Sequence, residues 1–183
     1  MRSIKASVIF RHLCCFFAVA ILLFSGCAPS PERLLDYQNG KIAAEIKGTV
    51  NSVEISAHLV LFEATDKGSR TFELTMLSPK TLEGMVFCRS HDGQLSATVG
   101  EVTVELEAGE RSGAVMIADA FSLSDDPRAI SAVRGTDVGL PQYSELTRID
   151  FEGISVFLDP DTDTPVKIVS PELEIFVTSF NSP

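Results

Sequence analysis

The run Lys41-Ile42-Ala43-Ala44-Glu45-Ile46-Lys47-Gly48-Thr49-Val50-Asn51-Ser52-Val53-Glu54-Ile55-Ser56-Ala57-His58-Leu59-Val60-Leu61-Phe62-Glu63 alternates on both sides of a central Asn51-Ser52 pair. Ile42, Ala44 and Ile46 fall on one side of the first arm, and Lys41, Glu45 and Lys47 on the other. On the return, Val53, Ile55, Ala57, Leu59 and Leu61 share a side. A period of two is that of a half-buried strand, so this stretch reads as a long β-hairpin with one face in a core. Val60 and Phe62 make its far end apolar on both sides.

Toward the C-terminus the pattern repeats. Asp66-Lys67-Gly68-Ser69 is a second turn, and Thr71 to Leu77 places Phe72, Leu74 and Met76 opposite Thr71, Glu73 and Thr75. Ser78-Pro79-Lys80 breaks that strand. Met85–Arg89, Gln94–Val99 and Val102–Glu107 follow, punctuated by His91-Asp92-Gly93 and Gly100. None of these connections is long enough for a parallel crossover, so the six strands form an antiparallel meander. Gly113–Leu123 changes period, with Met116, Ile117, Ala120, Phe121 and Leu123 on one helical face. Asp126-Pro127 and Arg134-Gly135 frame a second short helix, and Thr136–Ser144 is a loop. Arg148–Phe151, Ile154–Leu158, Val166–Val169 and Leu173–Val177 supply the last strands, with Gly153 at a bulge or tight turn.

Toward the N-terminus, Ser30 as N-cap, Pro31 in the first turn and Gly40 past the end predict another short helix. Before it, Arg2, Lys5 and Arg11 precede the apolar run Leu13–Phe24, which is too short to cross a bilayer core and reads as a secretory h-region. The run ends in Phe24-Ser25-Gly26-Cys27, which resembles the bacterial lipobox, although Phe24 stands where Leu is usual. The resemblance implies cleavage before Cys27 and its modification by palmitate-class acyl chains. The expected organisation is a lipoprotein signal at 1–26, a lipidated tether with a short helix at 27–40, and one domain at 41–183. Cys14 and Cys15 leave with the signal, Cys27 carries lipid and Cys88 remains alone, so the exported chain forms no internal disulfide.

The chain carries 15 Lys and Arg against 25 Asp and Glu. Three of the bases and none of the acids precede Cys27, leaving 12 against 25 and a net charge of −13 on the exported part. Such a surface repels nucleic-acid backbones and anionic headgroups, so membrane attachment rests on the lipid at Cys27. The expected location is extracytoplasmic, lipid-anchored to the cell membrane or, since Ala28 follows Cys27 in place of Asp, to the outer membrane of a cell that has one. Nothing in the sequence assembles a catalytic set. Nucleophile elbow, phosphate-binding glycine loop and paired metal cysteines are absent. His58 lies on the polar side of a strand and His91 in a turn, and Asp159-Pro160-Asp161-Thr162-Asp163 lacks the Gly and final Glu of a calcium loop. The expectation is a non-enzyme with no metal and no cofactor. Cys88, within Met85-Val86-Phe87-Cys88-Arg89, reads as a buried inert thiol.

The apolar strand faces outnumber what short helices can cover. Such a sheet curls on itself, is covered by a partner, or holds an apolar ligand. Leu59, Leu61, Phe72, Leu74, Met76, Met85 and Phe87, with Met116 and Phe121, form the inward series available to line a cavity.

Gly48-Thr49-Val50-Asn51-Ser52-Val53-Glu54-Ile55, Ser78-Pro79-Lys80-Thr81-Leu82-Glu83-Gly84-Met85, and Leu158 to Ile168 with a terminal strand ending near Phe180 resemble the LolA/LolB-like lipoprotein-carrier superfamily and related glycolipid-binding lipoproteins. The resemblance spans Lys41 to Phe180 and consists of turn chemistry. It implies an α+β domain: a curved antiparallel half-barrel sheet of about nine or ten strands, with two or three short helices on the concave side. It also implies a cavity for acyl chains of a lipid, glycolipid or lipidated protein. No partner-docking motif of the carriers is matched. The alternative is a cell-envelope interaction or structural module whose sheet is covered by another protein.

Overall fold

A computed structural model describes residues 34–63, 70–107, 112–123 and 127–182. They form one open antiparallel sheet of eleven strands: β1 (Ile42–Val50), β2 (Val53–Leu61), β3 (Phe72–Ser78), β4 (Val86–Arg89), β5 (Leu95–Val99), β6 (Val102–Leu106), β7 (Ala129–Val133), β8 (Leu146–Asp150), β9 (Ser155–Leu158), β10 (Pro165–Ser170) and β11 (Leu173–Asn181). Their spatial order is β6-β5-β4-β3-β2-β1-β11-β10-β9-β8-β7. Two meanders are therefore joined through β1 and β11, and the sheet's edges are β6 and β7.

The first hairpin folds as its alternation predicts. Asn51 and Ser52 both take positive φ, 49° and 66°, the two-residue turn whose twist matches flanking strands, and Val50 faces Val53. Gly48 is required on packing grounds, because a Cβ there would lie 1.9 Å from the Glu174 carbonyl oxygen of β11. The β1–β11 ladder pairs Val50 with Leu173 and Ala44 with Phe180, with a register shift at Glu45/Ile46. This long-range pairing closes the two meanders into one sheet.

One helix, α1 (Gly113–Ala120), lies between the meanders in sequence, within the span where the period changes. The Ser112 side chain accepts from the Val115 amide at 3.3 Å as its N-cap. Ala114, Ile117, Ala118 and Phe121 are buried in the main core with Ile42, Leu59, Leu74, Ile149, Ile168 and Ile175. The sheet face bearing these residues is termed the inner face.

Two expectations are corrected. The second short helix is strand β7, in which Ala129–Val133 pair with Leu146–Asp150. Asp126-Pro127 and Arg134-Gly135 punctuate a strand as well as a helix, and the five-residue ladder with β8 overrides the helix preference of Ala129 and Ala132. This strand raises the count to eleven. Of the helix expected before Gly40, the first residues lie outside the described ones; Leu34 is α-helical and a 3-10 turn follows at Asp36–Gln38. Among the described residues α1 is the one helix seen in full, with 3-10 turns at Asp36–Gln38 and Gly135–Val138.

A second apolar cluster was not foreseen. Leu140, Leu146, Phe157 and Val166 are buried on the outer face, packed with Val133, Val138, Tyr143, Val169 and Phe176. The segment after β7 covers them by doubling back over Gly135, where a Cβ would lie 2.2 Å from the carbonyl oxygens of Leu140 and Tyr143.

Candidate functional site

The register places the β8–β9 and β10–β11 turns at the same end of the sheet as the β1–β2 turn. There α1 and those two turns enclose an open groove of about 560 Å³. Val115, Met116 and Leu123 form one wall, Ile154 and Leu173 the other. Gly153, at φ 75°, turns the chain tightly enough to bring Ile154 to the rim. Asp119, Glu152 and Glu172 stand around the mouth.

A chain of arginines holds α1 in place. Asp119, half-exposed on α1, accepts from Arg89 Nη2 at 2.9 Å. Arg89 is buried, lies 5.1 Å from the Phe72 ring centre and donates through Nε to the Arg70 carbonyl at 2.8 Å. Arg70 in turn donates to the carbonyls of Phe62 (2.9 Å), Gln38 (2.5 Å) and Gly40. Planar guanidinium donors suit this work because each satisfies several carbonyls at once. Burial lowers the Arg70 pKa, opposed by its attraction to Tyr37. Burial pushes the Tyr37 phenol above its ordinary value of 10.0, against the hydrogen bond from Gln38 Nε2 at 3.4 Å. Tyr37 also meets Phe180 edge-on at 5.9 Å.

The structure divides the nine inward residues named from the sequence. Leu59, Leu61, Phe72, Leu74, Met76 and Phe121 are buried in the main core, while Met85, Phe87 and Met116 pack partly buried against it. Met116 alone of the nine borders the groove. Val115, Leu123, Ile154 and Leu173 were missed as wall residues. Leu123 was legible on the predicted helical face, but Ile154 and Leu173 reach the groove only through pairing between distant strands. Cys27 lies outside the described residues. Cys88 faces Glu73 and Ser96 on the outer face, half-buried, and burial together with the Glu73 carboxylate pushes its thiol pKa up. The Asp159–Asp163 run is a hairpin turn, with the Asp161 amide on Asp159 Oδ1 at 2.9 Å and the Asp163 amide on the Asp159 carbonyl at 2.8 Å. No helix among the described residues is long and apolar enough to cross a membrane.

No family model matches the chain, and no curated protein matches it in sequence. Solved structures do resemble it, and its structural neighbours include LolA superfamily proteins. An uncharacterized conserved protein from Thermus thermophilus is 14% identical, with 84% of this chain and 88% of that one covered and a TM-score of 0.49. A LolA superfamily protein from Nitrosomonas europaea is 8% identical over 85% of this chain and 94% of that one, at a TM-score of 0.42. MucB is 12% identical, at a TM-score of 0.42, over 85% of this chain and 60% of its own.

Proposed function

We propose that the chain is a membrane-tethered, extracytoplasmic lipoprotein that shelters the acyl part of a lipid, glycolipid or lipidated protein, without making or breaking a bond. The groove beside α1 carries this reading. Its volume, about 560 Å³, falls in the about 300–1,000 Å³ range of small-molecule sites, and aliphatic side chains form both walls. Each methylene removed from water there contributes about 0.8 kcal/mol, so a fatty tail is held by burial alone. Lipid on Cys27 supplies the tether.

Organic extraction of the purified chain followed by mass spectrometry tests the cargo. A copurifying amphiphile is expected, together with uptake of a fluorescent palmitate analogue. Val115→Glu and Leu123→Glu place charges at half-buried positions of the wall, so each is expected to abolish uptake, and a urea midpoint measured for each separates that loss from unfolding. No copurifying amphiphile and no uptake overturn the reading. Cys27→Ala releases the protein from membranes, and retention there overturns the tether.

A further inference from the structure

We propose that the free edge of β6 is a docking site for an extended peptide segment that alternates apolar and basic residues, added to the sheet as a twelfth strand. This inference stands apart from the acyl-binding reading. Among the described residues β6 ends the strand order, so one row of its amides and carbonyls faces away from β5. Proteins commonly blunt such an edge with an inward-pointing charge, a proline or a bulge. β6 has none of the three. Val102, Val104 and Leu106 point inward, opposite Val99, Ala97 and Leu95 in an unbroken register.

This corner is also where described apolar side chains are most exposed. Val99, Val102 and Val104 are 52%, 66% and 55% exposed, against 39% for Ile130 on the other edge strand, β7. An added strand with apolar residues on the inner face would cover all three.

Charge selects the occupant. On the outer face β6 carries Thr103 and Glu105, with Glu101 in the turn before it and Glu107 just past its end, and the outward residues of β5 beside it, Ser96 and Thr98, are neutral. A second copy paired symmetrically about Val104 would bring the Glu101 of each copy near the Glu107 of the other at the two ends of the ladder, and like charges that close repel. A strand with Lys or Arg at its outward positions meets these carboxylates instead. The chain's formal net charge of −10 draws such a segment in from a distance. Ladder hydrogen bonds give affinity, and the two alternating faces give specificity.

The test uses the full chain in detergent and, as probe, a fluorescein-labelled peptide of alternating lysine and valine, with the glutamate–valine peptide as control. The lysine–valine peptide is expected to bind and to protect the amides of Val102–Leu106 from hydrogen exchange. Glu105→Lys and Val104→Lys are expected to weaken it at least about tenfold, with the urea midpoint unchanged because both side chains are exposed. Equal binding of the glutamate peptide, or binding without amide protection, overturns the proposal. So does peptide-independent self-association abolished by Val104→Lys, which gives the edge to a second copy. Protection of β6 by the palmitate analogue and not by the peptide also overturns it, while leaving the acyl reading intact. Conversely, peptide binding that persists when no acyl uptake is found leaves the edge assignment standing.

Discussion

The two meanders of the sheet are built differently. In β1, β2 and β3 burial alternates residue by residue, with Ile42, Ala44 and Ile46 or Phe72, Leu74 and Met76 inward and their neighbours in contact with water. In β9 and β10 it does not: Val156, Phe157 and Leu158 are buried in succession, as are Pro165, Val166, Lys167 and Ile168. The cause is the Gly135–Ser144 segment, which closes over the outer face of the second meander and over nothing in the first. Among the described residues, the second meander carries apolar clusters on both faces, whereas the first is covered on its inner face only, and that cover thins out at β6. The second meander supplies the far wall of the groove through Ile154 and Leu173, while α1 is tied to the first meander through Arg89. One-sided cover leaves surface for something else to use.

Core truncations break this comparison most forcefully. Phe72→Ala removes a fully buried ring from the inner core and is expected to lower unfolding free energy by about 3–5 kcal/mol in urea. Leu146→Ala, at a fully buried position in the outer cluster, is expected to cost about 2–5 kcal/mol. The two should differ in where they act. Leu146→Ala releases the amides of β8–β10 to hydrogen exchange well before those of β1–β3, while Phe72→Ala does the reverse. Equal loss everywhere in both variants would mean that the meanders open as one unit.

A smaller effect tests how the outer layer is fastened. Lys167 is buried on the outer face, with Nζ 2.7 Å from the Val138 carbonyl and 2.7 Å from Glu174 Oε1, and 4.7 Å from the Phe176 ring centre. Lys167→Ala leaves that carbonyl without its donor and is expected to cost about 1–3 kcal/mol. Exchange should rise first in Gly135–Val138.

The same contrast explains what could be read in the sequence. Where one face is wet, alternation gives strand and inward set directly, and Ile42 to Leu61 with Phe72 to Met76 came out as expected. The change to helical period at Met116, Ile117, Ala120 and Phe121 likewise located α1. Where both faces are covered the pattern is a run of apolar residues that names no face, so Phe157, Val166 and Phe176 gave no hint of an outer core. β7 was hidden for another reason. Its residues are exposed at four of five positions, so burial wrote no period into Ala129–Val133. The groove was least legible, since Ile154 and Leu173 meet α1 only after β1 has paired with β11. What the sequence does offer there is Gly48, whose missing side chain lets Glu174 approach.

A pH experiment examines the inner side of the first meander. The Tyr37 phenol is raised above 10.0 in the folded chain, mainly by burial. A raised acid favours the fold while it is protonated in both states. That contribution is complete below pH 10 and declines as pH rises, because the unfolded phenol ionises first. One such group gives a slope of at most about 1.4 kcal/mol per pH unit. Urea midpoints of the wild type should fall between pH 10 and 12, and those of Tyr37→Phe should fall less. The ultraviolet signal of Tyr37 ionisation should appear only as the chain opens. A Tyr37→Phe profile parallel to the wild type would place the alkaline loss elsewhere.

The smallest effect belongs to the exposed pair Arg128–Glu152, 3.0 Å apart beside the β8–β9 turn, with side chains 62% and 87% exposed. It has the same charges as Lys167–Glu174 and a similar separation, yet water surrounds it. Arg128→Ala is therefore expected to change stability by less than about 1 kcal/mol, and by nothing measurable in molar salt. The Lys167→Ala loss should persist in that salt, because its larger part is a carbonyl stripped of its donor, which ions do not screen. If both losses vanish together, the outer face is wetter than its packing indicates, and the distinction between a covered and a bare meander narrows to the inner core.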